Sequence, residues 1–498
     1  MRDVVTTKKL WQTKSIEQSI ADTDEPDTRL RRNLGALDLT VFGVAVSIGA
    51  GIFVLAAQQA GDTAGPAVSL SYLLAAIVCG FAVLCYAELA STVPVAGSAY
   101  TYSYATFGEL FAWIIGWDLV LEFSVGGAVL AKAWSQYLGE ITGGVLANTV
   151  ELAGITVDWA ALLIVGALTV VLALGIKLSS RVSQVITFIK IAVVLLVIAV
   201  GIGYIKASNY SPYIPPAQPG RGSDELGQSL FSVLFGSTSS TYGLFGVLAA
   251  ASVVFFAFIG FDVVATTAEE ARNPQRDMPR GIIGSLTIVT ILYVAVALVI
   301  TGMQPYTALA TSPGRDPATL ATAFANVGLT WIAKIISFGA LAGLTTVAMI
   351  LMLGQIRVLF AMSRDGLLPR KLARTGPRGT PVLATLGVGV VVGVVAALFP
   401  IERLEQMVNV GTLFAFMLVA AGVLVLRRTR PDLPRGFRTP LVPLVPLLAI
   451  LFCLWLMLNL SLSTWIRFLV WLAVGLTVYF GYGVRRSRLR QREERVHV

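Results

Sequence analysis

Apolar runs of about twenty residues recur along this chain, and they leave its backbone almost no choice. In hydrocarbon no water is present to pair an N–H or C=O, so a run of that length is read as a membrane-spanning helix. Composition agrees. Hydrophobic residues make up 56% and charged residues 13%, with a mean hydropathy of +0.78; a soluble domain is about 25% charged. The 498 residues accommodate about twelve spans with short loops. They are expected at 36–57, 66–92, 107–138, 160–176, 182–205, 244–269, 281–303, 329–356, 381–399, 405–426, 441–460 and 464–484. The fold class is an all-α polytopic membrane protein. A polar arm (1–35) precedes the membrane domain (36–484), and a basic tail (485–498) follows it. The polar, basic start reads as an arm and not as a cleaved secretory signal.

Two of the spans carry an interruption. In the first, Ser47-Ile48-Gly49-Ala50-Gly51 sets two glycines one residue apart, each costing about 1 kcal/mol in a helix interior. An unwound stretch at that depth is tolerated only where protein or a water-filled cavity surrounds it. A break frees amides at the start of one half-helix and carbonyls at the end of the other. The amides suit a carboxylate and the carbonyls an ammonium; a free α-amino acid carries both. Close helix packing through small residues is the structural alternative. The second interruption is Phe258-Ile259-Gly260-Phe261-Asp262, in the apolar run from Leu244 to Ala268. Paired Gly-interrupted spans in corresponding positions of two halves point to a transporter binding site. Asp262 either caps the second half-helix or serves function at a depth where a carboxylate is expensive, and the two roles are compatible.

Other ionisable residues fall inside spans. Asp118 and Glu122, four apart in the third span, share a helical face. Glu122 lies deep and needs a cation or a proton, whereas Asp118 is read as a cap or a snorkelling end residue. Lys190 lies about 13 Å along the fifth span, too deep for its stem to reach the interface easily. It is read as a buried amine able to change charge during a cycle, with snorkelling as the alternative. Glu88 is read as a snorkelling or salt-bridged end residue. The segment Arg357-Val358-Leu359-Phe360-Ala361-Met362-Ser363-Arg364 reads as a short amphipathic surface helix closed by Gly366, and span ten as starting near Asn409.

The net charge of +9 reflects an uneven distribution. On one side of the membrane, Lys206, Arg221, Arg315, Lys334, Arg403 and Arg467 are the basic residues. Lys132 and Lys190 lie within spans, and the remaining Lys and Arg fall on the other side, with both termini. That bias places both termini in the cytoplasm. It accounts for the basic balance through contact with anionic lipid, without nucleic acid. Three cysteines, all in apolar runs, give no disulfide framework or metal spacing. The single histidine, His497, lies in the tail, which excludes a histidine-based active site. No GxSxG, HExxH or Walker A sequence occurs, so an ATP-driven pump or a membrane enzyme has no support.

The segments SIGAGIFV (47–54), AELASTVPVAGSAYTY (87–102), GWDLVLEF (116–123), FAFIGFDVVATTAEEARNP (256–274), RVLFAMSRDGLLP (357–369), NVGTLFAF (409–416) and FRTPLVPLVP (437–446) together resemble the amino acid–polyamine–organocation superfamily. The resemblance is densest to its cationic amino acid transporter branch. It implies a LeuT-like core of two inverted five-helix repeats (36–205 and 244–426) with two added helices (441–484). It implies substrate contacts at Ser47, Gly49, Ala50 and Gly51 in the first break. In the second they fall at Phe256, Ala257, Ile259 and Gly260, with Phe256 an aromatic gate and Leu344 of span eight completing the pocket. Lys190 matches a proton-coupling lysine that stands where sodium-coupled relatives bind sodium. Glu122 and Asp262 match carboxylates of the branch and are carried over as coupling or side-chain contacts. Position 50 is alanine where many relatives carry threonine or serine, which removes one hydroxyl from the expected contacts. The function implied is a plasma-membrane permease that takes up cationic or small neutral L-amino acids with protons by alternating access, without a cofactor or metal. A sodium symporter, an exchanger or a non-transporting amino acid sensor on the same scaffold are the alternatives.

Overall fold

The computed structural model of the protein describes residues 13, 34–95, 97–142, 148–152, 155–175, 180–219, 225–236, 240–311, 318–376 and 379–488. Nearly all of the expected arm and most of the basic tail, together with Arg221, Arg315 and His497, lie outside the described residues. Among the described residues, eight helices are long and apolar enough to cross a membrane, and four shorter apolar helices join them. The first span runs Ala36–Ser47 and resumes as Ala50–Phe53 and Leu55–Gln59. Spans two to five are Val68–Thr92, Glu109–Thr142, Trp159–Ala173 and Ser180–Gly201. The sixth is Gly243–Val254, a 3₁₀ turn at Phe255–Phe258, then Phe261–Ala265. The rest are Pro274–Met303, Thr330–Arg364, Val382–Leu398, Ile401–Thr429, Leu444–Leu458 and Leu462–Val478.

Local chemistry sets several of these ends. Gly65-Pro66 opens the turn into span two and Pro274 begins span seven, positions where a missing N–H costs nothing. Asp158 caps span four by accepting from the Ala161 amide at 3.0 Å. It also ends a two-stranded hairpin, Thr149–Leu152 against Ile155–Asp158, and its other oxygen pairs with Lys132 Nζ at 3.1 Å. That pairing accounts for a lysine in a long apolar helix. Phe188, Val390 and Leu451 point outward, as expected of helices whose solvent on that side is lipid. Gly389 and Gly393 pack against Thr169 and Leu162 of span four, the close contact that small residues allow.

Three expectations need correction. Residues 357–364 form no separate surface helix; they continue span eight to Arg364, and Gly366, at φ +83°, ends the turn that follows. Span ten starts at Ile401, directly after Pro400, four residues before the expected bound at 405 and two turns before Asn409, so Glu405 lies in its second turn. Asp118 neither caps nor snorkels: it is fully buried, against Gly411, and neither carboxylate oxygen has a hydrogen-bond partner among the described residues.

Of the two readings of Glu88 the structure shows the ion-paired one, and the residue organises more than its own helix end. Arg427 donates Nε to Oε1 at 2.9 Å and Nη2 to Oε2 at 2.7 Å. The Thr439 amide donates to Oε2 at 2.7 Å, and Arg435 Nε lies 3.3 Å from Oε1. One carboxylate thus ties span two to the end of span ten and to the loop leading into span eleven. The geometry with Arg427 is bidentate, the strong form of such a pair.

Candidate functional site

The first and sixth spans both come apart where the sequence places the interruptions. Ile48 is extended (ψ 90°) and Gly49 follows at φ −145°, ψ −143°. In the sixth span Ile259 is extended (ψ 133°) and Gly260 sits at φ 141°, a backbone region essentially reserved for glycine. The two breaks face each other. A Cβ on Gly51 would overlap the Cα and Cβ of Ala257, and one on Gly260 would lie 3.1 Å from Ser47 Oγ. Close approach of the two backbones is what these glycines permit.

Between the breaks lies a small, partly enclosed cavity of about 20 Å³. Span one lines it with Val46, Ser47, Gly49, Ala50 and Gly51, and span six with Phe256 and Ile259. Span three adds Glu122, Phe123, Gly126 and Leu130; spans eight and ten add Val347, Leu351 and Val408. The amides of Gly49, Ala50 and Gly51 open the second half-helix and find no acceptor among the described residues, while the carbonyls of Gly49 and Ala50 already accept from Phe53 and Val54 at 3.2 and 2.8 Å. Free amides at a helix start, with the dipole behind them, are an anion site.

The freed carbonyls are mostly taken. Lys190 is buried, and its Nζ donates to Ala45 O at 2.7 Å; its stem lies along Gly343 of span eight. The Tyr293 hydroxyl of span seven reaches both breaks, 2.5 Å from Ser47 O and 2.9 Å from Ala257 O. Tyr72 donates to Gly51 O and Tyr137 to Phe53 O, each at 2.6 Å. Asn409 Nδ2 donates to the Ser252 and Val253 carbonyls at 2.9 and 3.0 Å. Every break is therefore held by a side chain from another span.

Among the residues singled out from the sequence, Ser47, Gly49, Ala50, Gly51, Phe256, Ile259 and Glu122 line the cavity. Ala257 and Gly260 lie behind it, as the contact surface between the breaks. Leu344 is buried away from it, and its helix presents Val347 and Leu351 instead. Asp262 does not cap the second half-helix: Gly260 holds the N-cap position, and Asp262, inside the first turn, accepts from the Gly260 amide through Oδ1 at 3.1 Å while Oδ2 is unpartnered among the described residues. Glu122 is buried with Oε1 equally unpartnered. Beyond the second half of span one, side chains clasp the turn that leads into span two. Asp62 accepts from the Thr311 amide and hydroxyl at 2.8 and 2.6 Å, and Tyr242 donates to Gly61 O at 2.6 Å. Arg357 and Glu270 lie 3.6 Å apart, partly exposed, a weak ion pair.

The chain matches the amino acid permease family model over residues 34–479. It belongs to the amino acid permease family. The permease is 44% identical to the branched-chain amino acid permease BcaP of Bacillus subtilis, over 97% of its own length and 99% of that protein. It is 40% identical to the methylthioribose transporter of the same organism, over 93% and 95%. To the vacuolar cationic amino acid transporter 4 of Arabidopsis thaliana it is 38% identical, over 81% of the permease and 64% of the relative. The permease is thus a multi-pass membrane transporter and not an enzyme. Sequence reading missed the residues that hold its breaks: Tyr72, Tyr137, Tyr293 and Asn409. The one available signal was a polar tip on a side chain deep in an apolar run, too common a feature to single these four out.

Proposed function

We propose that the permease takes up neutral aliphatic L-amino acids together with a proton, across a plasma membrane with both chain ends in the cytoplasm. The observation that carries the coupling is the buried Lys190 ammonium on the Ala45 carbonyl, one turn before the first break. A charge-assisted hydrogen bond holds the first half-helix against the fifth span. Loss of the proton weakens that hold and frees the half-helix to move. The substrate carboxylate meets the Gly49, Ala50 and Gly51 amides. Its side chain meets Leu130, Val347, Leu351 and Val408, and these apolar walls support a neutral aliphatic group. The similarity to the Bacillus branched-chain amino acid permease points the same way. Glu122 on the cavity wall supports a second reading, a cationic side chain, in line with the names of the plant relatives.

Proteoliposomes with an imposed proton gradient test both. Leucine, valine, alanine, serine, lysine, arginine and ornithine are compared side by side, and external sodium is then exchanged for potassium. Accumulation of the aliphatic substrates, insensitive to sodium, is expected. Lys190→Ala is expected to abolish gradient-driven accumulation; accumulation that persists unchanged overturns the coupling role.

A further inference from the structure

The second turn of span ten, which begins at Ile401, holds one more carboxylate inside the membrane domain. Glu405 is 1% exposed, and its Oε1 has no hydrogen-bond partner among the described residues. No basic side chain there lies within ion-pairing distance of it. It lies one turn before Val408 of the cavity wall, about 4.5 Å along the axis. It is also one turn before Asn409, whose amide holds the Ser252 and Val253 carbonyls just ahead of the sixth-span break. Residues three and four apart share a helical face, so the carboxyl, the cavity wall and the support of the break form one stripe.

Basic residues stand nearby, Arg403 on the same helix and Arg467 of span twelve, but neither pairs with Glu405 among the described residues. Span two brings the Tyr72 hydroxyl within electrostatic reach, and that hydroxyl holds Gly51 O. Glu402 and Arg403, on the same helix, are exposed. The first half of span six contains no titratable residue, and span eleven contributes only Cys453. Span three contributes Asp118 and Glu122, the first of which rests on Gly411, about 9 Å further along span ten. Taking an uncompensated carboxylate out of water is costly, and a proton is the cation that removes the cost without needing a cage.

We propose that Glu405 is a second proton-binding group of the permease, on the opposite side of the cavity from the chain's ends. This rests on the proton coupling proposed above. Protonated, the carboxyl sits neutral in its buried place, and Asn409 and Tyr72 keep their grip on both breaks. Ionised, it draws water or a cation into the stripe and loosens that grip. Glu405 thus takes its proton from the side where substrate enters, whereas Lys190 acts on the first half-helix.

The test measures initial uptake against external pH in proteoliposomes for wild type, Glu405→Gln and Glu405→Asp, with counterflow as the control for intact alternating access. Glu405→Gln is expected to keep counterflow and lose the stimulation of uptake by external acid. Glu405→Asp is expected to keep the stimulation with a shifted midpoint. A Glu405→Gln profile that superimposes on wild type, in protein whose accumulation Lys190→Ala abolishes, overturns Glu405 and leaves the coupling reading intact. Wild-type protein without gradient-driven accumulation overturns both. Where Glu405→Gln loses counterflow as well, Glu405→Asp decides, and an aspartate profile identical to wild type overturns the proposal.

Discussion

Tyr293 has one hydroxyl proton and two carbonyls within reach, Ser47 O at 2.5 Å and Ala257 O at 2.9 Å. It donates to one at a time, so the hydroxyl exchanges between two acceptors on two different spans. Both carbonyls are in dry surroundings, where an unmet acceptor costs about 1–3 kcal/mol. Tyr293→Phe keeps the ring and its edge contacts with Tyr72 and Phe258 and removes only the hydroxyl. The expected outcome is a folded protein, less stable by about that amount, whose uptake rate falls roughly tenfold for each 1.4 kcal/mol lost in the rate-limiting state. Thermal unfolding and initial rates on the same preparation check the two halves separately. An unchanged rate at reduced stability would confine Tyr293 to holding the fold.

At the scale of the helix, the interruptions work as a pair because each carries a glycine where the other's backbone approaches. Gly51→Ala places a methyl on Ala257, an overpacking worth about 1–3 kcal/mol. It is expected to remove saturable uptake while leaving the protein monodisperse. Gly80, in the interior of span two with nothing near its missing Cβ, is the matching control. Gly80→Ala is expected to keep uptake and to stabilise by about 0.5–1 kcal/mol, read as a raised unfolding temperature. The interruptions were legible in the sequence because paired glycines in an apolar run violate helix propensity in a place that hydrocarbon does not forgive. Seven expected contacts fall on the cavity for the same reason: they lie within a turn of a break or on the face of Glu122. The start of span ten was not legible. Hydropathy marks where apolar residues begin, whereas the helix begins at Ile401, after Pro400. Nor was the continuation of span eight, since polar spacing describes the surroundings of a helix and not whether it has ended. Tyr72, Tyr137, Tyr293 and Asn409 act through contacts distant in sequence, and local pattern carries no record of these.

For the whole molecule, the decisive contact lies away from the cavity. Glu88 accepts from Arg427 and from the Thr439 amide, with Arg435 beside it. Glu88→Ala is expected to destabilise by about 3 kcal/mol, the low end for a broken buried pair because Arg427 keeps some contact with water. Thermal unfolding in detergent is the measurement, and Glu88→Gln should recover part of the loss through the remaining hydrogen bonds. The partners stand 339 residues apart, from Glu88 to Arg427, which bears on how the chain is made. During synthesis the second helix enters the bilayer with its acid unmatched, and it stays so until ten helices have left the ribosome. A nascent chain stalled before then carries a carboxylate that still lacks both of its arginines.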